Sequence, residues 1–253
     1  MRIAFTIILN GINHLKHNNY YKFLIDNFDY WVVIEGASNN NGSTKWCKMM
    51  SNKWHKNGKS IDGTIDFMVD LKNKYSNIIF VESDGIWNSK DSMVNRAIEE
   101  IKKLTNKCFL WQIDIDEQWT IEQIIKSEKE LINNGAKSAR FYVNHFVGDD
   151  LITNGDYGGE ADFIRLWDWR GEFFASHEPP VLINNGKNII INEKINHYSY
   201  YFEDDVKFKD EWYTNHDGVY EGWKKLKKET IFPQPITYLF PKFVGKNSKI
   251  IKL

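Results

Sequence analysis

An α/β fold is predicted, with a Rossmann-like, mostly parallel first half and a more antiparallel second half, and two features of the sequence predict it. Up to about residue 120, short apolar runs alternate with segments of helical periodicity, as expected of strands buried on both faces and joined by right-handed crossovers. Beyond residue 133, strand-like runs follow one another without long helices between them, so the later strands are expected to join the same sheet.

Ile3 to Leu9 is the first such run and closes at Asn10-Gly11. Tyr20, Phe23, Leu24 and Phe28 recur at helical spacing, and Tyr30 to Ile34 forms a second buried strand ending in Glu35-Gly36. Residues 37–59 are polar, with Trp46 and Trp54 interspersed, and read as a long excursion from the sheet; such loops are often functional. Turn and capping residues Ser60 to Thr64 precede a helix over Ile65 to Tyr75, and Ile78 to Val81 is a third strand. Ser89 caps a helix reaching Leu104, with Met93, Ala97, Ile98 and Ile101 on one face. The fourth strand, Cys108 to Ile113, runs into Asp114-Ile115-Asp116-Glu117, and a helix follows over Ile121 to Asn133. Strands are then expected over Ala139 to Val147, Phe163 to Trp169, Val181 to Asn184 and Asn188 to Ile191, with a helix around Asp204 to Asn215. No repeat or linker divides the chain, which reads as a single domain over 1–253 with halves 1–120 and 121–253.

Composition excludes several classes of function. Lys and Arg (33) only balance Asp and Glu (34), giving a net charge of −1, whereas broad nucleic-acid binding needs a basic face. The N-terminal apolar run lacks a signal-peptide cleavage site, and no run approaches the roughly 18 apolar residues of a membrane span. Two distant cysteines, Cys47 and Cys108, suggest neither a disulfide framework nor a zinc site. A cytoplasmic protein with no membrane span and no nucleic-acid partner is expected. Aromatic residues make up 15% of the chain, including ten Trp; they form either a Trp-rich core or flat platforms for sugar rings, and composition does not choose between these.

The strongest chemical signal is Asp114-Ile115-Asp116-Glu117. Alternate residues of a strand share a face, so Asp114 and Asp116 are expected to project together at the carboxyl end of a parallel sheet, where open α/β folds bind ligands. Hard oxygen donors there suit Mn²⁺ or Mg²⁺, which would neutralise a diphosphate. The alternative is a strand-to-helix turn in which the acids only cap the next helix. There is no Walker A loop, G-x-G-x-x-G, H-E-x-x-H or G-x-S-x-G. His14, His17, His55, His145 and His216 are isolated in sequence and read as surface or packing residues.

The order of these features resembles the GT-A glycosyltransferases, especially family 2-like enzymes that are soluble and non-processive and carry a DxD motif. Arg165-Leu166-Trp167 followed by His177-Glu178, then His197-Tyr198-Ser199-Tyr200 with Glu203-Asp204-Asp205 and Lys209, match later features of that family in the same order. The resemblance covers most of residues 3 to 213. It implies a nucleotide-sugar donor, UDP- or GDP-linked, and a glycan or glycoconjugate acceptor, with residues 1–120 as the donor half and 121–253 as the acceptor half. It further implies that Asn10, Glu35, Asp84, Lys90 and Asp114 contact the nucleotide sugar and that Asp114, Asp116 and His197 hold the metal. His197 reads equally as a histidine of an aromatic cluster beside Tyr198.

Glu178 is the expected general base of an inverting transfer, because a carboxylate on the acceptor side must take the hydroxyl proton; His177 would orient Glu178 or the donor. Read without the resemblance, His177-Glu178-Pro179-Pro180 is only a surface turn. Trp119, Trp167 and Trp169 flank the expected site and are the candidates for sugar stacking. Two departures matter. Glu35-Gly36-Ala37-Ser38 stands where the family has Asp-Asp-Gly-Ser, and the Gln-x-x-Arg-Trp motif of processive synthases is absent. Two alternatives are a sugar-nucleotide pyrophosphorylase, whose Gly-rich basic loop is missing after the first strand, and a non-catalytic carbohydrate-binding module.

Overall fold

The computed structural model describes residues 1–153, 163–242 and 248–253. In chain order the first half comprises β1 (Arg2–Ile8), α1 (Ile12–Lys16), α2 (Tyr20–Asn27), β2 (Tyr30–Glu35), α3 (Thr64–Lys74), β3 (Ile78–Val81), α4 (Lys90–Lys102), β4 (Cys108–Gln112), β5 (Glu117–Gln118) and α5 (Ile121–Asn133). The second half adds β6 (Ser138–His145), β7 (Leu151–Thr153), β8 (Phe163–Trp169), β9 (Phe174–Ser176), β10 (Val181–Leu182), β11 (Asn188–His197), α6 (Glu203–Trp212), α7 (Val219–Leu226), β12 (Gln234–Pro235) and β13 (Lys249–Lys252).

Eight strands form one sheet in the order β3-β2-β1-β4-β8-β6-β11-β5. β3, β2, β1 and β4 are mutually parallel, and β8 enters antiparallel to both β4 and β6. The expectation of a more antiparallel second half holds for β8 and for β5 against β11, but β6 and β11 pair in parallel. Strand alternation explains the two core layers. Ala4, Trp31, Val33 and Trp111 point to one face, under α2, α3 and α5, while Ile3, Phe5, Val32, Ile34 and Leu110 point to the other, under α4. A third cluster, including Val206, Trp223, Ile236 and Phe240, seats α6 and α7 beyond the sheet.

Two elements exceed their sequence signals. β11 runs ten residues because an irregularity between Ile191 and Lys194 restores its register after polar residues break the apolar run. α7 shows the spacing Val219, Gly222, Trp223, Leu226 on its buried side, and Gly222 is needed there: a Cβ would meet the Tyr238 carbonyl oxygen at 2.5 Å. Among the described residues, no helix is long and apolar enough to cross a membrane.

The sheet order fixes where a ligand can sit. From β1 the chain builds outward on one side through β2 and β3, then returns to place β4 on β1's other side. The carboxyl ends of β1 and β4 therefore flank a topological switch point, the position at which open α/β sheets form a crevice.

Candidate active site

A cavity of about 600 Å³ opens at that switch point, lined by Leu9, Asn10 and Gly11 after β1, by Gln112, Asp114 and Asp116 after β4, and by Lys90, Arg165, His177, Glu178, His197 and Lys209. Both halves of the chain contribute to it.

The acidic pair is not on a strand. β4 ends at Gln112, and residues 114–117 form a turn closed by the Glu117 N–H donating to the Asp114 carbonyl at 2.9 Å. The expectation that Asp114 and Asp116 share a strand face is thus corrected: the two lie in a turn, and each carboxylate is held by partners from other elements, Asp114 by Arg165 and Asp116 by His197 and Lys209. Glu117 begins β5, opposite His197 of β11, and the Tyr198 N–H donates to the Asp116 carbonyl at 2.7 Å, so β11 straps the turn in place. Arg165 on β8 donates from Nη2 to Asp114 Oδ2 at 3.0 Å and grips Glu117 through Nε and Nη2 at 2.6–3.0 Å. Asp116 Oδ2 lies 3.1 Å from His197 Nε2 and 3.4 Å from Lys209 Nζ. Burial alone would raise the Asp116 pKa, but His197 and Lys209 hold it well below the usual carboxylate range.

A second network presents Glu178. Asp91, in the first turn of α4, accepts the Ser43 N–H at 2.8 Å, the Ser43 hydroxyl at 2.5 Å and the His177 N–H at 2.7 Å. Ser43 Oγ accepts the Glu178 N–H at 3.1 Å. The excursion after β2, the start of α4 and the His177-Glu178 segment are thereby tied at one point. Glu178 is ionisable near Lys90, Asp114 and Arg165; burial pushes its pKa up, with Lys90 opposing. Burial pushes the His177 imidazole down to about 3, so it is neutral at ordinary pH. We expect Asp91→Ala to destabilise the fold by about 1–2 kcal/mol, because partly buried donors on two loops lose their acceptor; urea unfolding measures this, and unchanged stability would refute the tie.

Several predicted contacts are elsewhere. Trp119, Trp167 and Trp169 are core side chains: Trp119 packs on Trp111 and Phe141, Trp167 on Phe174, and both β8 indoles are 0% exposed. Strand alternation turns Trp167 and Trp169 inward, and Trp119 is enclosed by Trp111 and Phe141, so the three offer no platform for a sugar. Glu35 is also fully buried; it accepts the Ser60 N–H at 2.7 Å and the Ser83 N–H at 3.4 Å, anchoring loops behind the cavity rather than facing a nucleotide. Asp84 is exposed and does not line the cavity. Asn10 does line it, but its amide is engaged with the excursion, donating to the Trp54 carbonyl at 2.6 Å and accepting the Ile61 N–H at 2.8 Å. Lys90 lines the cavity as expected, its ammonium 4.7 Å from the Trp212 ring centroid.

Other lining residues carried no sequence signal. His14, His145 and His216, read as packing or surface residues, all line the cavity, and His14 Nε2 sits 2.7 Å from Asp205 Oδ2. Trp46, Phe208, Trp212 and Tyr213 form an aromatic wall. The roles of Asp91 and Ser43 depend on contacts 48 and 86 residues apart in sequence, which local spacing does not encode.

No protein-family model matches the chain, and no curated protein matches it. Among solved structures, it is similar to residues 1–349 of S. aureus TarS, with a TM-score of 0.48 and 13% identity over 82% of this chain. A longer S. aureus TarS structure gives a TM-score of 0.46 at 13% identity over 82% of this chain and 38% of that one. TarS 1–349 in complex with UDP-GlcNAc gives 0.43 at 12% identity over 82% of this chain and 64% of that one. The chain spans 62% of the length of the first of these.

Proposed function

We propose that the chain is a GT-A glycosyltransferase that moves one sugar, with inversion, from a UDP- or GDP-linked donor to a glycan or glycoconjugate. One observation carries this reading. At the switch point of the sheet's parallel strands, a single cavity presents an ordered acidic turn, three cationic side chains (Lys90, Arg165 and Lys209) and the carboxylate of Glu178, whose backbone is separately anchored. A diphosphate needs the cations, and an acceptor hydroxyl needs the carboxylate.

Mn²⁺ or Mg²⁺ belongs to the same proposal. Donor atoms on one octahedral ion with bonds of about 2.1 Å lie about 3 Å apart, and Asp116 Oδ2 and His197 Nε2 are 3.1 Å apart. Among the described residues, no three His, Cys, Asp or Glu side chains are grouped closely enough to hold an ion. Asp116 and His197 would therefore be the protein's donors, while Arg165 fixes Asp114 in the same turn. The ion would supply positive charge for the departing diphosphate.

The chain's own groups perform the remaining steps. Lys90 binds negative charge, Arg165 holds the acidic turn through Asp114 and Glu117, His177 remains a neutral neighbour of the base, and Glu178 accepts the acceptor's proton as the acceptor oxygen bonds to the anomeric carbon and the diphosphate departs.

The test is turnover of a panel of nucleotide sugars with and without Mn²⁺. Donor hydrolysis or transfer is expected with the metal, falling on Asp116→Asn by about a hundredfold or more. Absence of both donor binding and turnover at every metal tested would overturn the proposal. A carbohydrate-binding module instead predicts ligand binding unaffected by Asp116→Ala and no turnover.

A further inference from the structure

We infer that Trp46, backed by Tyr213, is the platform for an uncharged pyranose ring of the acceptor, an inference that rests on the transferase reading and names its acceptor site. Trp46 lies on the excursion, is only partly buried and lines the cavity. The Tyr213 ring lies against it, centroids 5.2 Å apart and planes inclined at 32°, which fixes the indole's orientation. The segment is held from both sides: Cys47 N–H donates to the Thr44 carbonyl at 2.9 Å, and Lys48 N–H to the Trp212 carbonyl at 2.8 Å, at the end of α6.

The wall is coupled to the proposed base. Ser43, three residues before Trp46, accepts the Glu178 N–H. A ring resting on Trp46 is thus positioned by the loop that positions the carboxylate. Polar groups edge the apolar surface. The Trp212 indole N–H is buried and has no hydrogen-bond partner among the described residues, and Lys90 lies over the same ring. Burial, and after it the Glu178 charge, holds the Tyr213 phenol well above its usual range, so it remains a hydroxyl donor beside that carboxylate.

These groups select a chemical class. A pyranose has a face of polarised C–H bonds, complementary to the negative face of an aromatic ring, and a rim of hydroxyls that need donors and acceptors. Asp114 and Asp116 are paired with Arg165 and Lys209, whereas among the described residues the Glu178 carboxylate has no such ion pair and, next to the acceptor hydroxyl, disfavours an anionic group on the acceptor ring. The wall consists of a turn and a helix end, so an extended peptide finds no strand edge there. It also differs from the core indoles Trp119, Trp167 and Trp169, which present no accessible face.

Saturation-transfer NMR with a panel of methyl hexopyranosides tests this on the full chain, with UDP and Mn²⁺ as a separate arm. At least one glycoside is expected to receive saturation on its ring C–H protons. Trp46→Ala should weaken that binding about tenfold or more, and Trp46→Phe should restore most of it; thermal midpoints of both variants near that of the parent show an intact fold. Equal binding by Trp46→Ala and the parent would overturn the assignment. Binding of UDP but of no glycoside by the parent overturns the subsite and leaves the transferase reading standing, whereas glycoside binding lost in Trp46→Ala, without UDP binding or donor turnover, supports the platform and removes that reading.

Discussion

If the chain is the transferase proposed, Glu178→Gln is expected to lower kcat for sugar transfer by about 10²- to 10⁴-fold, the usual contribution of a general base, with little change in donor KM. Gln keeps the size of the side chain, and the backbone hydrogen bond to Ser43 does not involve it, so the segment stays in place. What is lost is the proton acceptor. The pH dependence makes the result specific. Only ionised Glu178 acts as a base, so parent activity falls as pH drops through its pKa. Because burial pushes that pKa above the ordinary 4.5, the acid limb of kcat/KM lies at higher pH than a solvated glutamate would give. The limb is absent from the Gln variant. A pH-rate profile of both proteins checks this, and a variant that retains parental kcat removes Glu178 from the mechanism.

Legibility in the sequence followed the range of the forces involved. β2, β3, β8, α4 and α5 are specified by local apolar periodicity and, for α4 and α5, by capping boxes at Ser89 and Thr120; their boundaries fall within a residue or two of those read from the sequence. The acidic turn was legible as a motif, but its geometry was not, because Arg165, His197 and Lys209 orient it from β8, β11 and α6. The Trp residues show the same limit from the other side. Periodicity places Trp167 and Trp169 on one face of β8, and only the sheet order reveals that this face is covered by α4 and Phe174. Trp46 sits in a polar stretch without periodicity, so nothing local distinguishes it from Trp54, which faces Glu211 and Phe208 instead.

Arg165→Met is expected to destabilise the protein by about 3–5 kcal/mol, because it leaves the Glu117 carboxylate, 0% exposed, without its counter-charge. The loss depends on pH. Burial pushes the Glu117 pKa up to about 7 even against the pull of Arg165; without that pull it rises further, and the carboxyl escapes the penalty by taking up a proton. The folded variant then binds more protons than its unfolded chain, so its stability falls as pH rises from the unfolded value through the folded one. Urea unfolding at acid and alkaline pH measures the slope, and a variant as stable as the parent at alkaline pH would defeat the argument. The double variant Arg165→Met, Glu117→Met removes both charges and should recover most of the stability. In the proposed transferase it should not recover turnover, because Asp114 loses the 3.0 Å contact from Nη2 that fixes it in the acidic turn. Stability restored without activity would show that the buried ion pair serves chiefly to orient the acidic turn, whereas activity restored with stability would reduce Arg165 to a core residue.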